Sequence, residues 1–511
     1  MVRESPRFAT EFSMVTSTAA PALAATYSRE DWQRGYQSQP QELDYLITDC
    51  EGQVPLALEG TLFRNGPGLL DIQGQRIHHP FDGDGMICQF TLQNGQVHFR
   101  NRYVRTEGYV AEQAAGKILY RGVFGTQKPG GWLANIFDLK MKKIANTNVL
   151  YWNDRFWALW EGSEPYRIDP ATLETLGIDR LEGLLAENQP FTAHPRIDPG
   201  CRPTQPEERL VAFSVKTGPS SSITVYEFDP TGAVVQQQTR IIPGFAFLHD
   251  FAITEHYYIF FQNPVALNPL PFVFGFQGPG QCLKFQPDRP TQAIVIPRDP
   301  AQPMQVLETD ACFVFHHANA FEVPNPNNPQ GLPNLQVDSI CYDFLPVINP
   351  STDYLEIDFD QLAPGLLWRS TLNLQEQSIQ RHCWGDRCVE FPSLHPDRVG
   401  QEARYYYMGA AHHPQGNAPL QGIVKLDLQT GAEQFKSFAP RSFVNEPIFV
   451  PHPQAQAEDE GWLLVLTYNA ERHCSDLVIL NAQTLDTEAT LHLQQHIPYG
   501  LHGTFVPKVF N

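Results

Sequence analysis

The chain has 511 residues, of which 42% are hydrophobic and only 18% are charged, so it has enough apolar side chains for a large core. Its formal net charge of −20 argues against nucleic acid as a partner and against electrostatic attachment to anionic lipid. The 36 glycines and 43 prolines predict many turns, and the 12% of aromatic residues favour strands over helical bundles.

The N-terminal segment contains the acidic residues Glu4 and Glu11 and only a weak Ala/Thr/Pro stretch, which argues against a signal peptide. We expect residues 1–27 to form a disordered tail, with Met14 as an alternative start to Met1. No later stretch has the composition of an interdomain linker. All-β folds of this length often form one unit, so we expect residues 28–511 to be a single domain.

The cysteines argue for a reducing compartment. There are nine, an odd number, and they are scattered along the chain. The one close pair, Cys383 and Cys388, lacks the spacing of a zinc ribbon. No uninterrupted apolar run approaches the roughly 18 residues that a membrane span needs. We therefore expect a cytoplasmic protein, whose oligomeric state the sequence leaves open.

Strand–turn–strand units recur along the chain. Pairs of β-like runs flank Gly, Asn or Asp corners, which is typical of hairpins, at residues 148–162, 221–242, 422–438 and 476–493. Helical periodicity is weak, with short helices predicted only at 42–50 and 176–188. Hairpins spread so evenly indicate an all-β propeller, although no sequence repeat sets the number of blades.

Four histidines follow or end strand-like runs among small and aromatic neighbours: His194, His249, His316 and His502. The first two are 55 residues apart and the others are further apart, far beyond the ligand spacing of a single helix or zinc knuckle. In a propeller the innermost strands of different blades converge on one axis, where such residues can meet. Imidazole suits Fe, Cu, Ni and Zn, so the ligand type alone leaves the metal open.

Several motifs together resemble those of the carotenoid cleavage oxygenase family. They occur in the family's order from about Tyr27 to the C-terminus, and DWQRGYQSQPQE and MGAAHHPQGNAPLQ are similar to its apocarotenoid 15,15′-cleaving members. The motifs are RNGPG (64–68), HPFDGDGM (79–86), FLHDFAIT, FVFHHANAFE, EFPSLHP, NEPIFVP and IPYGLHGTF. RNGPG and HPFDGDGM themselves are interpreted as tight turns whose Asn and Asp side chains cap backbone amides.

The resemblance implies a seven-bladed β-propeller with a dome of loops and short helices over the metal face. It also implies one Fe(II) held by the four histidines, with His316 as the ligand and His317 as its neighbour. Three glutamates match carboxylates that accept the outer N–H of ligand histidines in the family, which would fix their tautomers: Glu161, Glu390 and Glu446. Taken singly, each glutamate is better explained as a solvated or capping carboxylate, and it is the motif context that favours the role beside a ligand histidine.

Three further residues are candidates for the surroundings of the metal. Thr147 matches a family position that points toward the open coordination sites, where its methyl group would restrict O2 or solvent; the alternative is an exposed strand threonine. Trp160 and Phe315 flank site residues and are candidates for the wall of a substrate tunnel, although aromatic core packing explains them equally well.

The segment LNPLPFVFGFQGPG (267–280) is apolar but too short to span a bilayer, and its Gly and Pro residues favour a loop. If exposed, it would form a patch of the kind that marks membrane or partner contact. In the family such loops surround the tunnel mouth and dip into the membrane; the alternative is a plug inside the dome. Its apolar residues are Leu270, Phe272, Val273, Phe274 and Phe276.

The resemblance implies an enzyme that uses O2 to cleave a polyene double bond of an apocarotenoid into two carbonyl fragments. Cleavage at the 15,15′ position would yield retinal. Neither a GxSxG nor a Walker motif is present, as expected for chemistry that needs no nucleophilic triad or phosphate site. The alternatives are a stilbenoid-cleaving dioxygenase with the same iron site and a non-catalytic binding propeller.

Overall fold

A computed structural model describes residues 26–200, 205–345 and 353–510 of the chain. The predicted N-terminal tail therefore lies outside the described residues, apart from Thr26 and Tyr27. Those two residues contact the folded protein, since the Thr26 hydroxyl donates to Gln421 and the Tyr27 ring packs edge-on against Phe443. The division into a tail and a single domain stays a prediction.

The described residues form seven antiparallel sheets of four or more strands, which are the blades of a propeller. The strands of blades 1 to 4, from the outer edge to the axis, are as follows. Blade 1 contains Asp44–Ile47, Gln96–Tyr103, Asp84–Gln93, Gly60–Leu69 and Gly503–Val506. Blade 2 contains Thr175–Ile178, Tyr166–Ile168, Arg155–Leu159 and Asn148–Trp152. Blade 3 contains Val234–Pro243, Ser220–Phe228, Arg209–Lys216 and Arg196–Asp198. Blade 4 contains Gln305–Thr309, Thr291–Pro297, Tyr257–Gln262 and Ala252–Ile253.

The remaining three blades follow the same order. Blade 5 contains Ser378–Cys383, Leu366–Asn373, Asn334–Tyr342 and Phe313–Val323. Blade 6 contains Ala432–Ser437, Leu420–Asp427, Tyr405–Ala411 and Val389–Ser393. Blade 7 contains Cys50–Gly52, Thr487–His492, Cys474–Asn481, Gly461–Asn469 and, at the axis, Ser442–Val444 and Ile448–Pro451. Two short ribbons pair Val265–Leu267 with Leu283–Phe285 and Asp71–Ile72 with Gln75–Arg76.

Both ends of the chain close the ring. The C-terminal strand Gly503–Val506 is the innermost strand of blade 1, where it pairs with Gly60–Leu69. The N-terminal strands Asp44–Ile47 and Cys50–Gly52 are the outermost strands of blades 1 and 7, respectively. Blades 1 and 7 are thus tied together by one short N-terminal segment.

The four predicted hairpins are confirmed, because each of these regions contains two antiparallel strands joined by a short turn. The two predicted helices were wrong. Residues 42–50 contribute the strand Asp44–Ile47, which pairs with blade 1, and residues 176–188 contain the end of Thr175–Ile178 and a 3-10 turn, Leu181–Gly183. In the first segment strand pairing with distant residues outweighs the local pattern. In the second, Thr175–Ile178 forms a hairpin with the nearby strand Tyr166–Ile168.

Long connections cover the face at which the innermost strands begin. Because neighbouring strands are antiparallel, the segments 104–147 and 263–290 both emerge there. The buried Arg121 joins these two segments, since its guanidinium donates to the carbonyls of Asn135 and Phe272. The predicted dome is therefore present. Its short helices are Glu107–Ala115, Trp132–Asn135 and Leu270–Val273, with 3-10 turns Pro80–Asp82 and Gly280–Cys282; helix Arg29–Arg34 and turns Tyr354–Glu356, Phe359–Gln361 and Pro396–Arg398 lie elsewhere in the connections.

Aromatic side chains fill the spaces between adjacent blades. The rings of Phe63 in blade 1 and Phe156 in blade 2 have centroids 4.3 Å apart. Phe213 and Phe260 join blades 3 and 4 with a centroid separation of 5.1 Å. Each of these four side chains is essentially buried, and aromatic pairs at such distances add to the free energy of burial. The blades are therefore packed into a rigid ring, which fixes the positions of the innermost strands.

Candidate metal centre

The four predicted histidines lie on four different blades, at or near the start of the innermost strands. His194, His249 and His502 precede the innermost strands of blades 3, 4 and 1, and His316 is the fourth residue of the innermost strand of blade 5. These strands contact their counterparts in neighbouring blades and begin at the same face of the ring. The propeller thus brings together side chains that are between 55 and 308 residues apart in the sequence.

One potential ligand atom from each of the four histidines lies within 4.8 Å of the others. The Nε2 atoms of His194 and His249 are 2.9 Å apart. Imidazole–metal bonds of about 2.1 Å would place two adjacent ligand nitrogens about 3 Å apart, so this separation fits a shared metal ion. His194, His316 and His502 are buried, and His249 is half-buried.

The polar atoms of this cluster are arranged for a cation. The Nε2 atom of His316 is buried and has no hydrogen-bond partner among the described residues, which a metal ion would supply. Burial, together with the three neighbouring imidazoles, holds the pKa of His194 well below its usual value. His194 is therefore neutral, which is the form that binds a metal. The residues present fit a mononuclear metal with four imidazole ligands.

Each of three histidines hydrogen-bonds through Nδ1 to one of the three predicted glutamates. The distances are 2.8 Å for His249–Glu161, 2.6 Å for His316–Glu390 and 2.9 Å for His502–Glu446. Burial by itself raises the pKa of each carboxyl, but the adjacent imidazole and the other hydrogen-bond donors, including Arg64 for Glu446, outweigh burial, and the pKa lies below its usual value. The glutamates are thus anionic acceptors that leave each Nε2 free to face the centre of the cluster.

The three glutamates differ in their second partner, and two of these partners were not identified from the sequence. Arg64 donates to Glu446 Oε2 at 2.5 Å, and the hydroxyl of Tyr342 donates to Glu390 Oε1 at 2.7 Å. Thr147, the predicted site residue, donates to Glu161 Oε2 at 3.3 Å. Thr147 is buried, so the alternative of an exposed strand threonine was wrong.

The interpretation of the two glycine-rich motifs needs correction. RNGPG is not a turn but lies within the strand Gly60–Leu69, where Asn65 donates to the carbonyls of Ala145 and Asn148. In HPFDGDGM, Asp82 does accept from the backbone amides of Phe124 and Thr126. The second carboxylate, Asp84, instead pairs with Lys142, and both side chains are buried.

Aromatic rings line the histidine cluster. Phe315 lies edge-on to His249 with a centroid separation of 5.6 Å, whereas Trp160 is buried beside Glu161. Phe391, which was not identified from the sequence, has its ring 5.3 Å from that of His502. It has a positive φ of 57°, a conformation that is uncommon for a residue other than glycine. The one sequence feature that could have identified Phe391 as a site residue is its position directly after Glu390 in EFPSLHP.

The predicted apolar segment is exposed on the dome. Leu270 and Phe276 are 58% and 61% exposed, so the alternative of a buried plug was wrong for these side chains. Residues Leu270–Val273 form one helical turn rather than a loop. Phe276 packs near Trp132 and Phe274 near Phe137, on a segment that was not identified from the sequence. We define the apolar patch as Leu270, Phe274, Phe276, Trp132, Leu133 and Phe137.

Within the described residues, no helix is long and apolar enough to cross a membrane.

Comparisons with known proteins agree with this architecture. The chain is 52% identical over 497 residues to the apocarotenoid-15,15′-oxygenase of Synechocystis sp., covering 96% of this chain and 99% of that protein. It is 30% identical to the carotenoid cleavage oxygenase 1 of Neurospora crassa, covering 90% and 88% of the two chains. A crystal structure of cobalt-substituted Synechocystis ACO superposes with a TM-score of 0.91 at 52% identity, covering 94% of this chain and 99% of that one.

The family described as Retinal pigment epithelial membrane protein matches residues 36–507, which is most of the chain. This match and the long alignments confirm the resemblance seen in the motifs: the chain belongs to the carotenoid cleavage oxygenase family, whose fold is the seven-bladed propeller described above.

Proposed function

We propose that the protein is a non-haem Fe(II) dioxygenase that cleaves a polyene double bond of an apocarotenoid with O2. Cleavage at the 15,15′ position would give retinal and a second carbonyl fragment. The observation that carries the proposal is the cluster of four imidazoles at the propeller axis, backed by three carboxylates. The 52% identity to an enzyme named for 15,15′ cleavage of apocarotenoids supports the substrate class and the position.

The ligand set favours Fe(II), held by His194, His249, His316 and His502. Four neutral imidazoles leave the charge of a dication uncompensated, and the three glutamates place negative charge one hydrogen bond away. Imidazole is a ligand that iron accepts, and four protein ligands leave room for others. When bound, the iron would supply the redox chemistry that lets O2 react with an alkene.

The protein's own contribution is to hold and shield the reacting groups. The three glutamates fix which imidazole nitrogen faces the metal and keep the rings from rotating. The methyl group of Thr147 would restrict where O2 or solvent can approach. Phe315 and Trp160, together with Phe391, would present apolar surface to a polyene and exclude water from it. No side chain has to act as a general acid or base.

Product analysis tests this function. Fe(II)-loaded protein is incubated with a panel of apocarotenals under air, and we expect retinal to form together with O2 uptake. The metal-free protein is the control. Cleavage of resveratrol but not of apocarotenals would instead identify a stilbenoid-cleaving dioxygenase. Absence of both bound iron and O2 uptake would favour a non-catalytic binding propeller.

We also propose that the apolar patch makes peripheral contact with a membrane, from which an apolar substrate would be taken up. Its exposed side chains come from two separate dome segments and form one surface, which scattered apolar residues do not do. Because the net charge is −20, we expect apolar contact rather than attraction to anionic lipid. A cytoplasmic location stays a prediction, and eight free cysteines among the described residues support it.

The double substitution Leu133→Ser, Phe276→Ser should lower binding to phosphatidylcholine vesicles by about tenfold or more, because burying one large apolar side chain is worth about 1.5–3 kcal/mol. Vesicle co-sedimentation measures this, and the metal content should stay unchanged. Ile241→Ser is the matched control, since Ile241 is 70% exposed on an outer strand of blade 3. Equal binding of the double variant and the wild type would contradict the membrane role.

A further inference from the structure

One of the four candidate ligands is held differently from the others. His249, His316 and His502 each hydrogen-bond to a glutamate, whereas no carboxylate of the described residues hydrogen-bonds to the imidazole of His194. The ring of His194 instead contacts the rings of His249, His316 and His502, and its backbone amide donates to Thr192 Oγ1. A group other than a glutamate must therefore hold His194 in position.

Arg196 is two residues beyond His194 and reaches the two neighbouring ligand segments. Its Nη2 atom donates to Asp250 Oδ2 at 2.6 Å and to the backbone carbonyl of His317 at 2.8 Å. Its Nε atom donates to the carbonyl of Phe251 at 3.0 Å. One guanidinium thus connects blade 3, which carries His194, to the segments that carry the ligands of blades 4 and 5.

Asp250 completes the connection. Its side chain is buried, and Oδ2 accepts a second hydrogen bond from the backbone amide of His317 at 2.8 Å, while Oδ1 accepts from the amide of Phe251. His317 is held on its other side by a 2.7 Å hydrogen bond between its Nδ1 and Ser339 Oγ. Both carboxylate oxygens therefore accept hydrogen bonds, and these bonds connect Asp250 to Arg196 of blade 3 and to His317 of blade 5.

We propose that Arg196, Asp250 and His317 form a clamp that positions His194, His249 and His316 for the metal. This inference rests on the metal centre of the proposed function. Each member of the clamp lies one or two residues from a ligand, so its hydrogen bonds fix the backbone that carries that ligand. Charge-assisted hydrogen bonds between buried groups are strong and directional, and a metal site tolerates ligand displacements of only about 0.5 Å.

The clamp also explains why the dipeptides His249–Asp250 and His316–His317 occur at the site. The first residue of each contributes its imidazole to the histidine cluster. The second joins the clamp, Asp250 through its carboxylate and His317 through its backbone amide and carbonyl. His502 is outside this arrangement, because it is held by Glu446 and by a hydrogen bond from its amide to the carbonyl of Thr147. The members of the clamp are positioning residues and do not contact the substrate.

The test compares Asp250→Asn with Asp338→Asn. An asparagine at 250 presents its NH2 group either to Arg196 and the His317 amide or, in the flipped orientation, to the Phe251 amide, so a donor faces a donor in both orientations. Asp338 is a matched control, since it is buried and accepts two hydrogen bonds from Arg369, at 2.8 and 2.7 Å, between the two middle strands of blade 5. Metal-free full-length proteins are titrated with Co(II), whose visible absorption reports the coordination geometry, and their Tm values are measured.

We expect Asp250→Asn to bind Co(II) about 10- to 100-fold more weakly than the wild type, with altered visible bands. Asp338→Asn should lower Tm to a similar extent but bind Co(II) as the wild type does. Arg196→Lys serves as a second variant that keeps the charge, because a lysine cannot reproduce the three-way hydrogen bonding of the guanidinium. It should also weaken Co(II) binding, and it decides the question alone if Asp250→Asn does not fold.

Wild-type affinity and spectra in Asp250→Asn and Arg196→Lys would overturn the clamp while leaving the metal centre intact. Equal weakening in Asp338→Asn would also overturn it, because the effect would then be general destabilisation. A wild-type protein that binds neither Co(II) nor Fe(II) would overturn the metal centre of the proposed function, and the clamp with it.

Discussion

Replacement of His249 by alanine is expected to abolish metal retention and turnover together. The substitution removes one of the four imidazoles and leaves the half-buried carboxylate of Glu161 with Thr147 as its remaining side-chain partner. A partly desolvated charge that loses its partner is costly, so Glu161 would become protonated or draw in water, and either change alters the field at the metal. Metal analysis of purified protein and retinal formation from an apocarotenal are the two measurements.

His256→Ala is the control for this prediction, since His256 belongs to the same blade and pairs with Glu322 at 2.9 Å but is exposed, in the turn between Ala252–Ile253 and Tyr257–Gln262. It should retain the wild-type metal content and activity. Full metal occupancy in purified His249→Ala protein would show that His249 is not a ligand.

Replacement of Arg64 by methionine should lower the free energy of unfolding by about 3–5 kcal/mol, because it breaks a buried ion pair and leaves the carboxylate of Glu446 without its guanidinium partner. Arg64 is 3% exposed and donates to Glu446 at 2.5 Å. Burial by itself raises the pKa of Glu446, whereas His502 and Arg64 lower it and prevail. Without Arg64 the pKa of this carboxyl should rise, and His502 would be its main remaining charge-stabilising partner. Denaturant unfolding of the metal-free protein measures the effect.

Arg76→Met is the matched control, because Arg76 pairs with Asp353 at 3.0 Å but both side chains are exposed. Exposed pairs contribute about 1 kcal/mol or less, so its loss should be small. The double variant Arg64→Met, Glu446→Gln should be less destabilised than the sum of the two single variants, since it leaves no unpaired charge. Equal effects of Arg64→Met and Arg76→Met would contradict the importance assigned to the buried pair.

The hairpins were predictable because turn residues and the period-two alternation of strands act locally. The same local reasoning failed for residues 42–50, where Asp44–Ile47 becomes the outer strand of blade 1 by pairing with residues 97–100. That pairing joins segments that are 50 to 56 positions apart. The hydrophobic pattern of residues 42–50 does not indicate that residues 97–100 will pair with them. Local propensity is a weak determinant wherever a distant strand offers hydrogen bonds.

The four histidines and three glutamates were predictable because each lies in a motif with a family counterpart, and the structure brings all seven together. The side chains that hydrogen-bond to these glutamates could not be predicted in the same way. Arg64 meets Glu446 across 382 positions and was interpreted as part of a turn, while Tyr342 meets Glu390 across 48 positions in a different blade. Arg64 opens the RNGPG motif, but nothing in that motif indicates its partner, and Tyr342 does not differ in its local sequence from an ordinary strand residue.

By itself, the sequence determined the all-β class, the hairpin units, the acidic surface and the identity of the candidate metal ligands. Only the tertiary structure decided which side chains support each ligand: the cation beside Glu446, the phenol beside Glu390 and the clamp beside His194. It also decided that Trp132 joins Phe276 in one exposed patch. The physical reason is that ligand type and turn chemistry reside in single residues and their neighbours. In contrast, the side chains that hold the ligands and the residues that share the exposed patch are set by contacts between distant parts of the chain. Those contacts exist only in the closed ring.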